Sequence, residues 1–341
     1  MKAWTLKIYR ALAFQPWFQV SRKWGGYLLK GAVTFMALAF IANRLMQERE
    51  EIWQSAWYFS AFQWFLVCAA ACLIPINLGF EAAKWQAMAG RYYPGLRMLR
   101  AFQAVLAGIA TGIFTPNRVG EYAGRILYLQ PGRRLESVVF LFVDRICQMG
   151  ITVWTGTLAM EYLLAVHGPL LMNTFPLAEA WLWGFRGFMW FFSLLGIALL
   201  LFPAVAYRLV SLFPRSNILV QKALHALAQV NTPFLLRILG LSLVRYGVFS
   251  LQYYLLLLAF GYEGGPLLAF HMVGLIFLIK SIIPSVSLTE LGIRESVAIA
   301  ITGVFAVPAM TAFASTFVLY FFNIILPALI GLVFVLRIRL E

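Results

Sequence analysis

The stretch TGIFTPNRVGEYAGRILYL, residues 111–129, sets Arg118, Glu121 and Arg125 behind Pro116 inside an otherwise apolar run. On a helix, Glu121 and Arg125 stand one turn apart and can pair. A proline frees backbone groups, and a half-helix starting near Arg118 to Gly120 aims the positive end of its dipole at whatever lies in front. That dipole, with two arginines beside it, suits an anion. The plainer alternative is an interfacial loop that these residues only anchor. A second stretch, LIKSIIPSVSLTELGIRES, residues 278–296, repeats the theme. Pro284 breaks the run, Ser285, Ser287 and Thr289 supply hydroxyls, Glu290 and Arg294 stand one turn apart, and Glu295 follows. No acidic residue lies within a turn of Lys280 in the sequence. These groups could hold a ligand or form a salt bridge that pins the segment, and the two roles can coexist.

Two further charged sites fall within apolar segments. Asp144 and Arg145 are adjacent in FLFVDRICQMG, and Arg245 lies in SLVRYGVFSLQYY. Adjacent helical residues point about 100° apart, so Asp144 and Arg145 must reach different partners, and one can meet the first broken segment. Ionisable groups at membrane depth are candidates for function. Arg245 is too far inside its segment for snorkelling to be the better account, whereas Arg186 and Arg237 near segment ends read as anchors. No phosphate-binding glycine loop, dinucleotide fingerprint or zinc spacing occurs, and His167, His225 and His271 are far apart. Cys68, Cys72 and Cys147 all lie in apolar segments and read as small packing residues, not as a disulfide framework. An intramembrane transferase using Glu121 or Asp144 as base would lack a nucleophile pair. The pattern therefore predicts binding without covalent catalysis, with no metal and no cofactor.

The elements that position these residues follow from composition. Of 341 residues, 62% are hydrophobic and only 12% charged, too few charges to coat a soluble globule. The chain reads as an all-α polytopic membrane protein. Its net charge of +14 is scattered along loops and not gathered in one stripe, which argues against nucleic acid and for contact with anionic headgroups. Residues 1–26 form a basic interfacial segment rich in Trp and Phe, and residues 27–341 a single membrane domain.

A span needs about 20 apolar residues. Segments 27–45, 57–79, 137–160, 181–206, 235–260 and 311–336 qualify, giving about six full spans. Residues 99–130 and 266–300 are each split by a proline into halves too short to cross, so they read as two re-entrant broken-helix hairpins. With both as hairpins, 17 of the 27 basic residues fall in loops on one face, and only Arg44 and Arg49 on the other. The basic face is cytoplasmic and carries the N-terminus and the C-terminus. Residues 57–165 and 235–338 then become the two halves of an inverted repeat, with Glu121 and Glu290 at matching places behind their prolines. Broken helices meeting within an inverted repeat are the architecture of alternating-access transporters.

The motifs TPNRVGEYAGRILYL, DRICQMG and IIPSVSLTELGIRES, together with NLGFEAAKWQAM at residues 77–88, resemble the membrane domain of lysylphosphatidylglycerol synthases and the stand-alone membrane proteins related to it. The resemblance covers roughly residues 20–338. It departs at Leu288, Thr289 and Glu290, where the family tends to carry a glycine pair ahead of Gly-x-Arg-Glu. Fused members join this domain to an aminoacyl transferase that nothing in the chain resembles, and their membrane domain is thought to move the aminoacylated lipid between leaflets. What the resemblance implies is a flippase-like lipid translocase in a bacterial cytoplasmic (inner) membrane. A membrane phospholipid or polyprenyl-phosphate lipid would be its ligand. Arg118, Arg125 and Lys280 would neutralise the phosphate, Arg245 and Arg294 support it, and Glu121, Asp144, Glu290 and Glu295 orient those bases or carry a proton. The alternative is a non-transporting partner that presents such a lipid to a separate transferase. A second copy of the chain or that transferase would be the protein partners.

Overall fold

A computed structural model of the chain describes residues 59–113, 115, 118–129, 134–174, 179–201, 203–212, 218–228, 230–283 and 289–336, with Ala39, Asn43 and Met46. All regular structure among them is helical. The expected interfacial segment 1–26 and the expected span 27–45 lie outside this set, apart from two of those three residues.

Helix α1, Ala61–Ala89, starts at a reciprocal capping box between Ser60 and Gln63. It runs ten residues beyond the expected end at 79, because Trp85, Met88 and Ala89 keep its buried face apolar past Glu81 and Lys84. Lys84 is therefore a buried helical residue and not one of the cytoplasmic loop charges. A turn leads into α2, Met98–Gly112, a break at 113–119, and α3, Gly120–Leu127. Arg118 turns the chain into α3 with a left-handed φ of +57°, unusual for a residue with a Cβ. Helix α4, Arg134–Thr174, bends at His167, two residues before Pro169. Three helices follow: α5 Glu179–Leu201, α6 Pro203–Ser211 and α7 Ile218–Leu227.

The order of the first half then recurs. Helix α8, Thr232–Ala259, is capped by Asn231, whose side chain accepts from the Phe234 amide at 3.1 Å. A short turn leads to α9, Pro266–Ile282, a break, and α10, Thr289–Gly303. Helix α11, Ala309–Tyr320, passes through a π-helical turn, Phe321–Ile325, into α12, Leu326–Val335. Among the described residues, four helical stretches are long and apolar enough to cross a membrane: Ala61–Ala89, Ser137–Pro169, Thr232–Ala259 and Ala309–Val335. The halves of the two broken segments, α2 and α9, are apolar but shorter.

Packing interleaves the two halves. Helix α1 lies along α8, α2 along α12, and α9 along α4. Glycines make the close approaches. A Cβ on Gly331 of α12 would meet the Leu106 carbonyl oxygen of α2 at 2.1 Å, and one on Gly156 of α4 would meet the Leu278 Cβ of α9 at 2.5 Å. One apolar cluster gathers Trp85, Met88, Leu106, Phe140 and Ile238; a second gathers Met160, Tyr253, Leu257, Met272 and Leu278. Cys147 is buried as expected, but Cys68 and Cys72 lie on the exposed face of α1, so they do not pack the core.

Candidate functional site

The hairpin α2–α3 is clasped by two small-xxx-small pairs facing each other: Gly108 and Gly112 on α2, Gly120 and Gly124 on α3. A Cβ on Gly124 would fall 2.8 Å from the Ala107 carbonyl oxygen, and one on Gly120 would fall 2.3 Å from that of Thr111. Small residues let backbones approach this closely within lipid. Thr111 Oγ1 donates to the Gly120 carbonyl at 2.7 Å, and the Gly120 amide donates to Thr115 Oγ1 at 2.7 Å. This contact satisfies backbone polar groups that the break would otherwise leave bare.

The clasp holds Glu121 and Arg125 against α1 and α4, and Arg245 of α8 joins them through Glu81. Arg125 crosses α2 at Gly108, where a Cβ would come within 2.8 Å of its Cγ. Its Nη2 donates to Glu81 Oε1 at 2.6 Å and to Glu121 Oε1. Lys84 Nζ reaches Asp144 Oδ1 at 2.6 Å, Glu81 Oε2 at 3.0 Å and Gln148 Oε1 at 3.0 Å. Arg145 Nη2 lies 2.6 Å from Glu121 Oε2, and Arg245 Nε lies 3.3 Å from Glu81 Oε2. Arg118 stands at the edge, 3.9 Å from Glu121 Oε2. Asp144 and Arg145 do reach different partners, and it is Arg145 that meets the hairpin.

The electrostatics of this cluster are unbalanced. Four cations, Lys84, Arg125, Arg145 and Arg245, contact three carboxylates, Glu81, Glu121 and Asp144. Arg118 adds a fifth cation. Glu81, Lys84, Glu121, Arg125 and Asp144 are buried, so water does little to offset the excess. The Nε and Nη1 of Arg125 are buried and find no hydrogen-bond partner among the described residues. Arg118, Arg145 and Arg245 have side chains 24%, 37% and 23% exposed, and they are the members that could meet something arriving from outside.

A neutral chain of amides extends from the cluster along α1. Asn77, one turn before Glu81, donates to Asn323 Oδ1 at 2.6 Å. Asn323 donates to Gln252 Oε1 at 2.8 Å, and Gln252 to the Ala70 carbonyl at 2.8 Å. Pro75, inside α1, lacks the amide that would donate to the carbonyl of Ala71, the neighbour of Ala70. Asn323, within the π-turn, also donates to the Leu319 carbonyl one turn back at 3.0 Å.

The second broken segment is described only in part. Pro116 and, on the far side, Pro284, Ser285 and Ser287 lie outside the described residues, as do the side chains of Thr289 and Glu290. Lys280 is half-buried near the end of α9. Arg294 Nη2 pairs with Glu295 Oε1 at 2.6 Å, and its guanidinium lies 4.5 Å from the centre of the Tyr320 ring. Arg186, read as an anchor, instead donates to Glu161 through Nε at 3.0 Å and Nη2 at 2.5 Å, joining α5 to α4.

The model of the lysylphosphatidylglycerol synthase transmembrane region matches residues 27–331. The chain belongs to that family. Membership marks a membrane protein with a lipid-related role. No curated protein matches the chain. In this member of the lysylphosphatidylglycerol synthase transmembrane-region family, the structure joins Arg118, Glu121, Arg125, Asp144, Arg145 and Arg245 into one cluster. It adds Glu81, Lys84 and Gln148, which the charge pattern did not single out. Glu81 and Lys84 lie in the segment that carried part of the family resemblance, and the apolar spacing of Trp85 and Met88 behind them was the available signal that the helix continues.

Proposed function

We propose that the protein is a lipid translocase that moves an anionic or phosphate-bearing headgroup between the leaflets of a bacterial cytoplasmic membrane, without a catalytic step of its own. The observation that carries this reading is the cation excess among the described residues, with two buried Arg125 nitrogens that find no partner among them, where a broken helix meets the long ones. An uncompensated cation at membrane depth costs several kcal/mol. A phosphate arriving there would offset that cost, and the N-terminal end of α3 would add its dipole.

The recurrence of long helix, broken pair and long helix supports two units of opposite orientation, with α2–α3 and α9–α10 as re-entrant hairpins. Interleaved packing of α2 on α12 and α9 on α4 supports it further. Alternating access then follows as rocking of the two units about the cluster, with the lipid tails remaining in the bilayer. Lys280, Arg294 and the hydroxyls behind Pro284 would receive the headgroup in the second unit.

The test is reconstitution into vesicles carrying fluorescent lipids of anionic, zwitterionic and polyprenyl-phosphate classes, with quencher added outside. Wild type should expose inner-leaflet probe of one anionic class, and Arg118→Ala should slow this at least tenfold while leaving thermal stability unchanged. A wild type that moves none of the three classes refutes the reading. Co-purification of a stoichiometric transferase in that event would favour the carrier-presenting alternative.

A further inference from the structure

A cavity of about 500 Å³ opens between α4, α5 and α8. That volume is in the range of sites that hold a small ligand. Its wall is almost wholly carbon, built by Ile146, Met149 and Trp154 of α4, Phe192 of α5, and Leu236 and Leu239 of α8. The one hydroxyl in the wall, that of Ser193, is already 3.0 Å from Thr157 Oγ1, so the wall offers little to water. Gly196 supplies part of the space, and a Cβ built on it meets no atom within 4 Å.

The cavity lining on α4 begins at the residue after the charge cluster's Arg145. Ile146 directly follows Arg145, and Met149 is one helical turn beyond it, on the face that Arg145 itself presents. From Ile146 to Trp154 the wall runs eight residues along α4, about 12 Å at 1.5 Å per residue. At its head, the Arg145 side chain is 37% exposed although it pairs with Glu121. An exposed cation at one end of a long apolar slot matches an anionic headgroup joined to a hydrocarbon chain.

We propose that this cavity holds one hydrocarbon chain of the lipid whose phosphate meets Arg145. The identity of the ligand as a lipid rests on the translocase reading; the location of its chain does not depend on transport. Held this way, the chain fixes which face of the protein the headgroup enters from, and the transported lipid keeps one tail against protein while the other remains in the bilayer.

The full chain is placed in nanodiscs of phosphatidylcholine doped with a phosphatidylglycerol bearing a diazirine midway along one acyl chain. After irradiation, labelled residues are mapped by mass spectrometry. Ile146, Met149 and Leu239 should be labelled at least tenfold more than Phe317 and Leu329, apolar residues exposed elsewhere. Gly196→Leu should fill the slot and abolish the excess while Phe317 and Leu329 label as before. Arg145→Gln should also remove the excess, and Arg145→Lys should restore most of it. Equal labelling of the slot and the reference positions, or an excess that survives Gly196→Leu, overturns the inference; an excess that survives Arg145→Gln overturns the headgroup placement. Excess labelling without transport in vesicles would sink the translocase reading alone.

Discussion

Replacing Lys84 with methionine keeps the length of the side chain and removes its charge. Asp144 then loses a 2.6 Å partner and Glu81 a 3.0 Å partner. Glu81 retains Arg125 at 2.6 Å and Arg245 at 3.3 Å, so the burden falls on Asp144, whose salt bridge among the described residues is to Lys84. Breaking one side of a buried ion pair costs ~3–5 kcal/mol, and the surviving contacts of Glu81 argue for the lower end. Removing both partners, in Lys84→Met with Asp144→Leu, takes away the stranded charge and should recover ~1–3 kcal/mol as coupling. Cys147, buried three residues after Asp144, can report this directly. With Cys68→Ala and Cys72→Ala removing the two exposed thiols, labelling by a membrane-permeant maleimide follows opening of the α1–α4 contact. At 1.4 kcal/mol per tenfold, Lys84→Met should speed labelling roughly a hundredfold, and the double substitution should slow it again by about tenfold. If the double variant labels at the product of the two single effects, Lys84 and Asp144 do not act as a pair, and the cluster is not what holds α1 to α4.

The clasp makes a second expectation: Gly120→Ala drives a methyl into the Thr111 carbonyl, and overpacking of this kind costs ~1–3 kcal/mol, read as a lower melting temperature and new protease cleavage near the break. Asn323→Leu strands the Asn77 amide and a Gln252 oxygen, at ~1–3 kcal/mol for buried groups left unpaired; Asn77→Leu on top of it should cost less than it does alone, in the same melting assay. Glu161→Gln should cost under ~1 kcal/mol, because that pair is 24–27% exposed and largely screened; a large melting shift would mean that α5 depends on it.

The first motif was legible because its charges are spaced for a helix: Glu121 and Arg125 at one turn, and Asp144 beside Arg145 forcing two directions. Arg245 stood out for a different reason, as a lone charge deep in an apolar run. Glu81 and Lys84 were not legible, since hydropathy falls where they occur and a span ending at 79 looked sufficient. Only their partners on three other elements show why burial is tolerable there. Asn77, Gln252 and Asn323 escaped notice for a different reason: an uncharged amide inside a long apolar segment leaves little mark on hydropathy, and its partners are 71 to 246 residues away in sequence. The clasp glycines were present as GIATG and GEYAG, a spacing whose meaning depends on the two strands of the hairpin facing each other.

A π-turn contains one residue more than an α-helix of the same rise requires. In Phe321–Ile325 that extra residue sets the phase between the two ends of a single helix. Inside the turn, Asn323 faces Asn77; beyond it, Gly331 is turned toward the Leu106 carbonyl. Deleting one residue from the turn would restore regular α geometry and swing one end about 100° relative to the other. The amide contact and the glycine contact could then no longer be made together, and a chain one residue shorter at this point would have to re-invent one of the two seams that join its halves.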